Sequence, residues 1–252
     1  MYKKLPQKIS FNCFSSPTDI PMTAHLLIHR LLARLPRQLV TVLSLLSMSF
    51  MMSAPARADA YDDFLFAVRF DQVGNVRALL QKGMDVNSVE SMRGESVLMI
   101  SLREKSMKVF PVLLAHQDIK LEARAMNGDT ALMLACYLGN VPAVKALIQR
   151  GAEINQPGWT ALHYAAANGS KEIIALLLEH SAYIDTESAN KTTPLMMAAR
   201  TGKMDAVALL LDEGADPLLK NDLGLTALDF ANEVEQREIA AFLKERMQAA
   251  KK

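Results

Sequence analysis

Cysteine is almost missing from this chain. It has two, Cys13 near the start and Cys136 far along, so the body beyond residue 58 holds one thiol and no pair to bridge. A lone thiol of this kind is by default a small buried apolar side chain. Histidine is nearly as scarce, with His116, His163 and His180 the three that follow residue 58. No H-E-x-x-H, paired C-x-x-C, G-x-S-x-G or phosphate-loop spacing occurs. Acidic residues come singly or at the spacing of a solvated helix face. These absences argue against an enzyme, a metal centre and a cofactor. The one catalytic alternative, a small hydrolase or redox protein using Cys136, requires an accessible thiol of lowered pKa.

Long apolar runs are also few. Residues 39–54, L-V-T-V-L-S-L-L-S-M-S-F-M-M-S-A, are 16 residues without a charge, short of the roughly 20 that a spanning helix needs. Basic residues (Lys3, Lys4, Lys8, Arg30, Arg34, Arg37) precede the run and Ala56-Arg57-Ala58 follows it, giving the three parts of a cleavable signal peptide over residues 1–58. Met22 offers a second start, which would give a leader of more ordinary size. Cleavage near Ala58 implies a periplasmic or secreted body; the alternative is a membrane anchor through residues 39–54.

The leader also holds the positive charge. Of 28 Lys and Arg and 27 Asp and Glu, residues 1–58 carry seven basic and one acidic, which leaves the body at a formal −5. Such a body has no general attraction for nucleic acid or anionic lipid. Membrane contact is expected only through the leader, before cleavage.

What the body has in abundance is repetition. S-V-L-M-I-S at 96–101 returns as T-A-L-M-L-A at 130–135, T-A-L-H-Y-A at 160–165, T-P-L-M-M-A at 193–198 and T-A-L-D-F-A at 226–231, with starts 34, 30, 33 and 33 residues apart. Residues 62–67 form a degenerate earlier copy. Each start is followed by a second apolar segment such as V-K-A-L-I or I-I-A-L-L-L, and several units close on G-M-D-V-N, G-A-E-I-N, S-A-Y-I-D or G-A-D-P. A period in this range marks a solenoid, whose units bury their apolar sides only against one another. The opening Thr or Ser can cap a short helix, and Pro194 sits at a first helical position, where its missing N–H is harmless. Gly139, Gly169 and Gly202 stand where the chain turns between two helices.

These segments resemble the ankyrin repeat over roughly 61–248. The resemblance implies an all-α solenoid of about six helix-turn-helix units, near 61–92, 93–126, 127–156, 157–189, 190–222 and 223–248, joined by projecting hairpin loops. It implies a non-catalytic module, monomeric, that binds a protein partner on a concave face made of hairpin tips and first helices. His163, at the family's T-P-L-H position, is then a bridge between units. Exported bacterial ankyrin-repeat proteins look similar, so the chain is expected to be an exported adaptor. A dedicated chaperone or inhibitor of an exported enzyme, or a secreted effector, stays open as an alternative.

By position, Arg93, Arg103, Asn127, Tyr137, Leu138, Trp159, Asn190 and Arg200 are the candidate partner-binding residues. The residues just ahead of each opening Thr, Glu95 and Thr192 among them, are expected on the surface too. Trp159 is the chain's one tryptophan; it either stands free as a binding anchor or folds over its own loop. Two irregularities are expected. The loop at 151–160 is three residues short, which makes a stubbier finger. The second unit has Lys105 in place of the turn glycine and Pro111 within its second helix, which points to a kink.

Overall fold

The computed structural model describes residues 53–249, with side chains from Asp59 onward. Cys13, Met22 and the expected leader's apolar run, apart from Ser53 and Ala54, lie outside the described residues. Among the described residues twelve helices form six pairs: α1 (Ser53–Arg69) with α2 (Val73–Gln81), α3 (Val97–Arg103) with α4 (Phe110–Leu114), and α5 (Ala131–Tyr137) with α6 (Val141–Arg150). The remaining pairs are α7 (Ala161–Asn168) with α8 (Lys171–Glu179), α9 (Pro194–Arg200) with α10 (Met204–Asp212), and α11 (Ala227–Glu233) with α12 (Arg237–Ala249). Among the described residues the fold is all-α; a single antiparallel bridge, Val89 to Ser96, is the nearest approach to a strand.

Four of the six first helices start at a hydroxyl cap. The hydroxyls of Ser96, Thr130, Thr193 and Thr226 accept the backbone N–H three residues on, each at 3.4 Å, a device worth about 1 kcal/mol per helix. Second helices bury one stripe with the same spacing every time: Ala143, Val144 and Leu147 in α6, Ile173, Ile174 and Leu177 in α8, and Ala206, Val207 and Leu210 in α10. That is the single apolar face of an amphipathic helix.

Like stacks on like. The first helices α3, α5, α7, α9 and α11 each touch the next, and α6, α8 and α10 do the same. One continuous core runs from Phe64 to Leu243. Leu98, Leu132, Leu162 and Leu195 repeat one place in it and are no more than 1% exposed. Leu228 takes the same place in the sixth unit and is only half-buried, because no further unit covers it among the described residues. Along the loops, polar side chains tie each unit to the next. Asn87 bonds the backbone of Asp118 and Lys120, Glu122 that of Glu153, Asn155 that of Ser181 and Tyr183, and Asp185 that of Asp216.

The turn between paired helices keeps its left-handed backbone in every unit, whether or not glycine is present. Gly169 has φ +88°, and a Cβ there would lie 2.7 Å from Lys203 Cδ of the next unit. At the same place Asp71, Lys105 and Glu235 accept φ of 55°, 58° and 57°. The second unit is therefore strained at Lys105 where a kink was expected. Pro111 lies in the first turn of a short α4, where its ring obstructs no carbonyl. Substituting Lys105→Gly should relieve this turn and raise stability by about 0.5–1 kcal/mol, the left-handed penalty less glycine's entropy. Asp71→Gly should not, because the Asp71 carboxylate accepts the N–H groups of Lys108 and Val109. Denaturant melts of the two variants check the contrast.

The finger at 151–160 is also as short as its sequence implies. The other fingers close with a backbone bond across the tip, as Ala125 to Asp129, Ser188 to Thr192 and Asn221 to Leu225 do, and this one has none. It is held from the side instead, where Gln156 bonds both Arg124 and Glu122.

Candidate interaction face

First helices and fingers share one face, and the candidate residues fall on it in register. Arg93, Asn127, Tyr137, Leu138, Trp159, Asn190 and Arg200 are exposed. Arg103, Tyr137, Ala167 and Arg200 occupy the same position, seven residues after the opening Ser or Thr, in four consecutive units. They make a stripe along the first helices. Met92, Arg93, Glu95, Arg103, Met126 and Asn127 line a shallow groove at the second and third fingers.

Arg103 is not a free cation. Its guanidinium forms a forked ion pair with Glu95, with Nε 2.9 Å from both carboxylate oxygens. That bond is the leading cause holding the Arg103 guanidinium above its usual range. Glu95, expected on the surface, is 4% exposed. It turns inward because a bidentate partner compensates its charge there. Truncating Arg103 would strand that carboxylate, so Arg103 is first a structural residue. Thr192 was also expected outside and is buried: its N–H donates to Ser188 Oγ and its carbonyl accepts from the preceding unit.

That acceptor serves His163. The ring Nε2 is 2.8 Å from the Thr192 carbonyl oxygen, while Nδ1 faces the Thr160 N–H at 3.1 Å and its hydroxyl at 3.0 Å. A carbonyl can only accept, so Nε2 carries the proton, Nδ1 accepts, and the ring is neutral. Burial pushes its pKa down to about 4. This is the inter-unit bridge expected of His163, and it leaves no nitrogen for acid-base work.

The centre of the face is aromatic. The Trp159 indole meets the edge of His163 at 5.0 Å between centroids and remains 39% exposed. One side of the indole packs on its own unit and the rest is open. Tyr164 lies half-buried between Trp159, at 6.3 Å, and Tyr137, edge-on at 6.2 Å. Its hydroxyl donates to Asp129; burial first, and that carboxylate second, push the phenol above its ordinary range. Tyr164 escaped the sequence reading because in T-A-L-H-Y-A it reads as helix packing. The signal was the short loop beside it.

Cys136 is fully buried and its thiol is pushed upward by that burial, the opposite of the activated thiol a redox or hydrolase role demands. At Cys136 a thiol reagent should label the native protein at the rate of unfolding and the denatured protein at once; rapid native labelling of Cys136 itself would restore the catalytic alternative. Among the described residues no three His, Cys, Asp or Glu gather as metal ligands would.

Comparison with known proteins agrees with this architecture. The family model for ankyrin repeats (3 copies) matches residues 98–188, and that for ankyrin repeats (many copies) matches 177–231. The human transient receptor potential cation channel subfamily A member 1 is 32% identical over 61% of this chain and 15% of its own length. The chicken nuclear factor NF-kappa-B p105 subunit is 33% identical over 66% of this chain and 18% of its own. Xenopus tropicalis neurogenic locus notch homolog protein 1 is 32% identical over 52% of this chain and 5% of its own. This chain thus spans under a fifth of each of these relatives, and the similarity is one of repeats.

Proposed function

Because the chain belongs to the ankyrin-repeat family, we propose that it acts as a non-catalytic adaptor that captures one protein partner on the face of fingers and first helices. Repeats of this kind are protein-interaction modules, and the repeat region is not itself enzymatic. The observation that carries the reading is the exposed aromatic centre, Tyr137 and Trp159 at 56% and 39% exposure with Leu138 beside them. Rigid aromatic and arginine side chains supply most binding energy when a partner buries them, and a soluble surface has little other reason to hold them together. Arg93 and Arg200, exposed on the same face, add cationic contacts.

We place this adaptor outside the cytoplasm, after removal of residues 1–58. The support is the basic flank, the apolar run at 39–54 and the Ala56-Arg57-Ala58 end. N-terminal sequencing of the mature protein should begin at Asp59; recovery of the full chain from the membrane fraction would replace export by anchoring.

The binding reading is tested by cross-linking in the native cell with the protein as bait, then repeating the capture with Trp159→Ala. The variant should bind the partner at least about tenfold more weakly, as a hot-spot aromatic does, while melting within a few degrees of the parent. Unchanged capture would remove Trp159 from the interface.

A further inference from the structure

The aromatic centre has a sign as well as a shape. We infer that it receives a basic side chain, a lysine or arginine carried by the protein partner; this rests on the reading of the face as a protein-binding surface and adds the chemistry of what enters it.

Three features converge. First, the rings are arranged as a floor and two flanks: half-buried Tyr164 lies between Tyr137 and Trp159, 6.2 and 6.3 Å away, with ring planes inclined at 89° and 52°. Tyr137 and Trp159 are both exposed, and a cation is drawn to an open ring face. Second, the protein's own bulk is small here. Ala167 interrupts the stripe that carries Arg103, Tyr137 and Arg200 in other units, and the adjoining finger is the one three residues short. A long side chain brought by a partner meets fewer atoms of this chain at that place.

Third, Asp129 brings a carboxylate to the place. Asp129 accepts the Tyr164 hydroxyl and the Asn127 amide, at 2.6 Å for the latter, and forms no ion pair among the described residues. Arg103 acts on it through space, but that guanidinium is forked onto Glu95, so Glu95, Arg103 and Asp129 together keep one negative charge. His163, packed against Trp159, contributes none, being held neutral by burial at physiological pH. An acidic side chain entering here would meet both the carboxylate and the ring faces; a basic one is favoured by both. Desolvated by a partner, that preference sets specificity more than affinity.

The experiment uses the protein's own reporter, since Trp159 is its only tryptophan. Its emission is followed at constant ionic strength while acetyl-Gly-Arg-Gly-amide, or the same peptide with Glu or Gln at its centre, is added. The expected result is a saturable change with the Arg peptide alone, weakened about fivefold or more in Asp129→Asn. That variant keeps an oxygen for the Tyr164 hydroxyl, and its melt is measured beside the parent's. Glu245→Gln, a neutralisation on exposed α12, should leave the response unchanged. A saturable response to the Glu peptide, an Arg response indifferent to Asp129→Asn, or no saturable response to the Arg peptide would each overturn the proposal. If Trp159→Ala still loses the natural partner in that case, the face remains a binding surface and only the basic side chain is withdrawn.

Discussion

Leu162→Ala should remove about 3–5 kcal/mol of stability, while Leu228→Ala, the same substitution at the same place in the repeat, should remove about 1 kcal/mol. Leu162 is 1% exposed in α7, with α5 on one side and α9 on the other. Its loss leaves a cavity that two neighbouring helices must tolerate. Leu228 is half-buried in α11, where no further unit closes over it among the described residues and the gap can fill with water. In a stack held by nearest-neighbour interfaces, weakening a central unit uncouples both halves, and the total stability of a small domain is only about 5–15 kcal/mol. Urea titrations of the two variants check this. Equal losses would mean that the two leucines do not occupy repeated places.

Acid should undo the stack through His163. The ring is neutral and fully buried in the fold with its pKa down to about 4, whereas an unfolded histidine titrates near 6.5. Between these values the unfolded chain binds a proton that the folded chain refuses. The stabilisation is therefore complete above about pH 6.5, falls as pH drops toward 4, and totals about 3 kcal/mol across that window. The physical origin is the bridge itself, since a protonated ring would present a second N–H to Thr160 donors at Nδ1. His163→Gln should be less stable at pH 7 yet lose far less between pH 6.5 and 4.5. An equally steep fall in both proteins would assign the acid sensitivity elsewhere.

How much of this was legible beforehand follows from what repetition encodes. A residue type that returns at a fixed interval reports a fixed place, so the caps, the helix pairs, the stacked leucines and the short finger could be read without coordinates. Contacts that join two different places could not. Glu95 looked exposed because the position ahead of an opening Thr usually is, and only Arg103 seven residues past the same cap explains its burial. Tyr164 and Asp129 sit in adjacent units, and neither sequence context announces the other. Backbone demand was also hidden: Asp71, Lys105 and Glu235 hold left-handed turns that three glycines hold elsewhere, since stacking imposes the turn and the residue must comply.

The most direct test of the account is photo-crosslinking from single sites in the living cell. A photoreactive residue at Tyr137 or Arg200, on the face of first helices, should trap one and the same protein. At Gln149 or Glu179, exposed on the second helices, it should trap none. A partner captured from Gln149 and Glu179 and missed from Tyr137 and Arg200 would contradict the account.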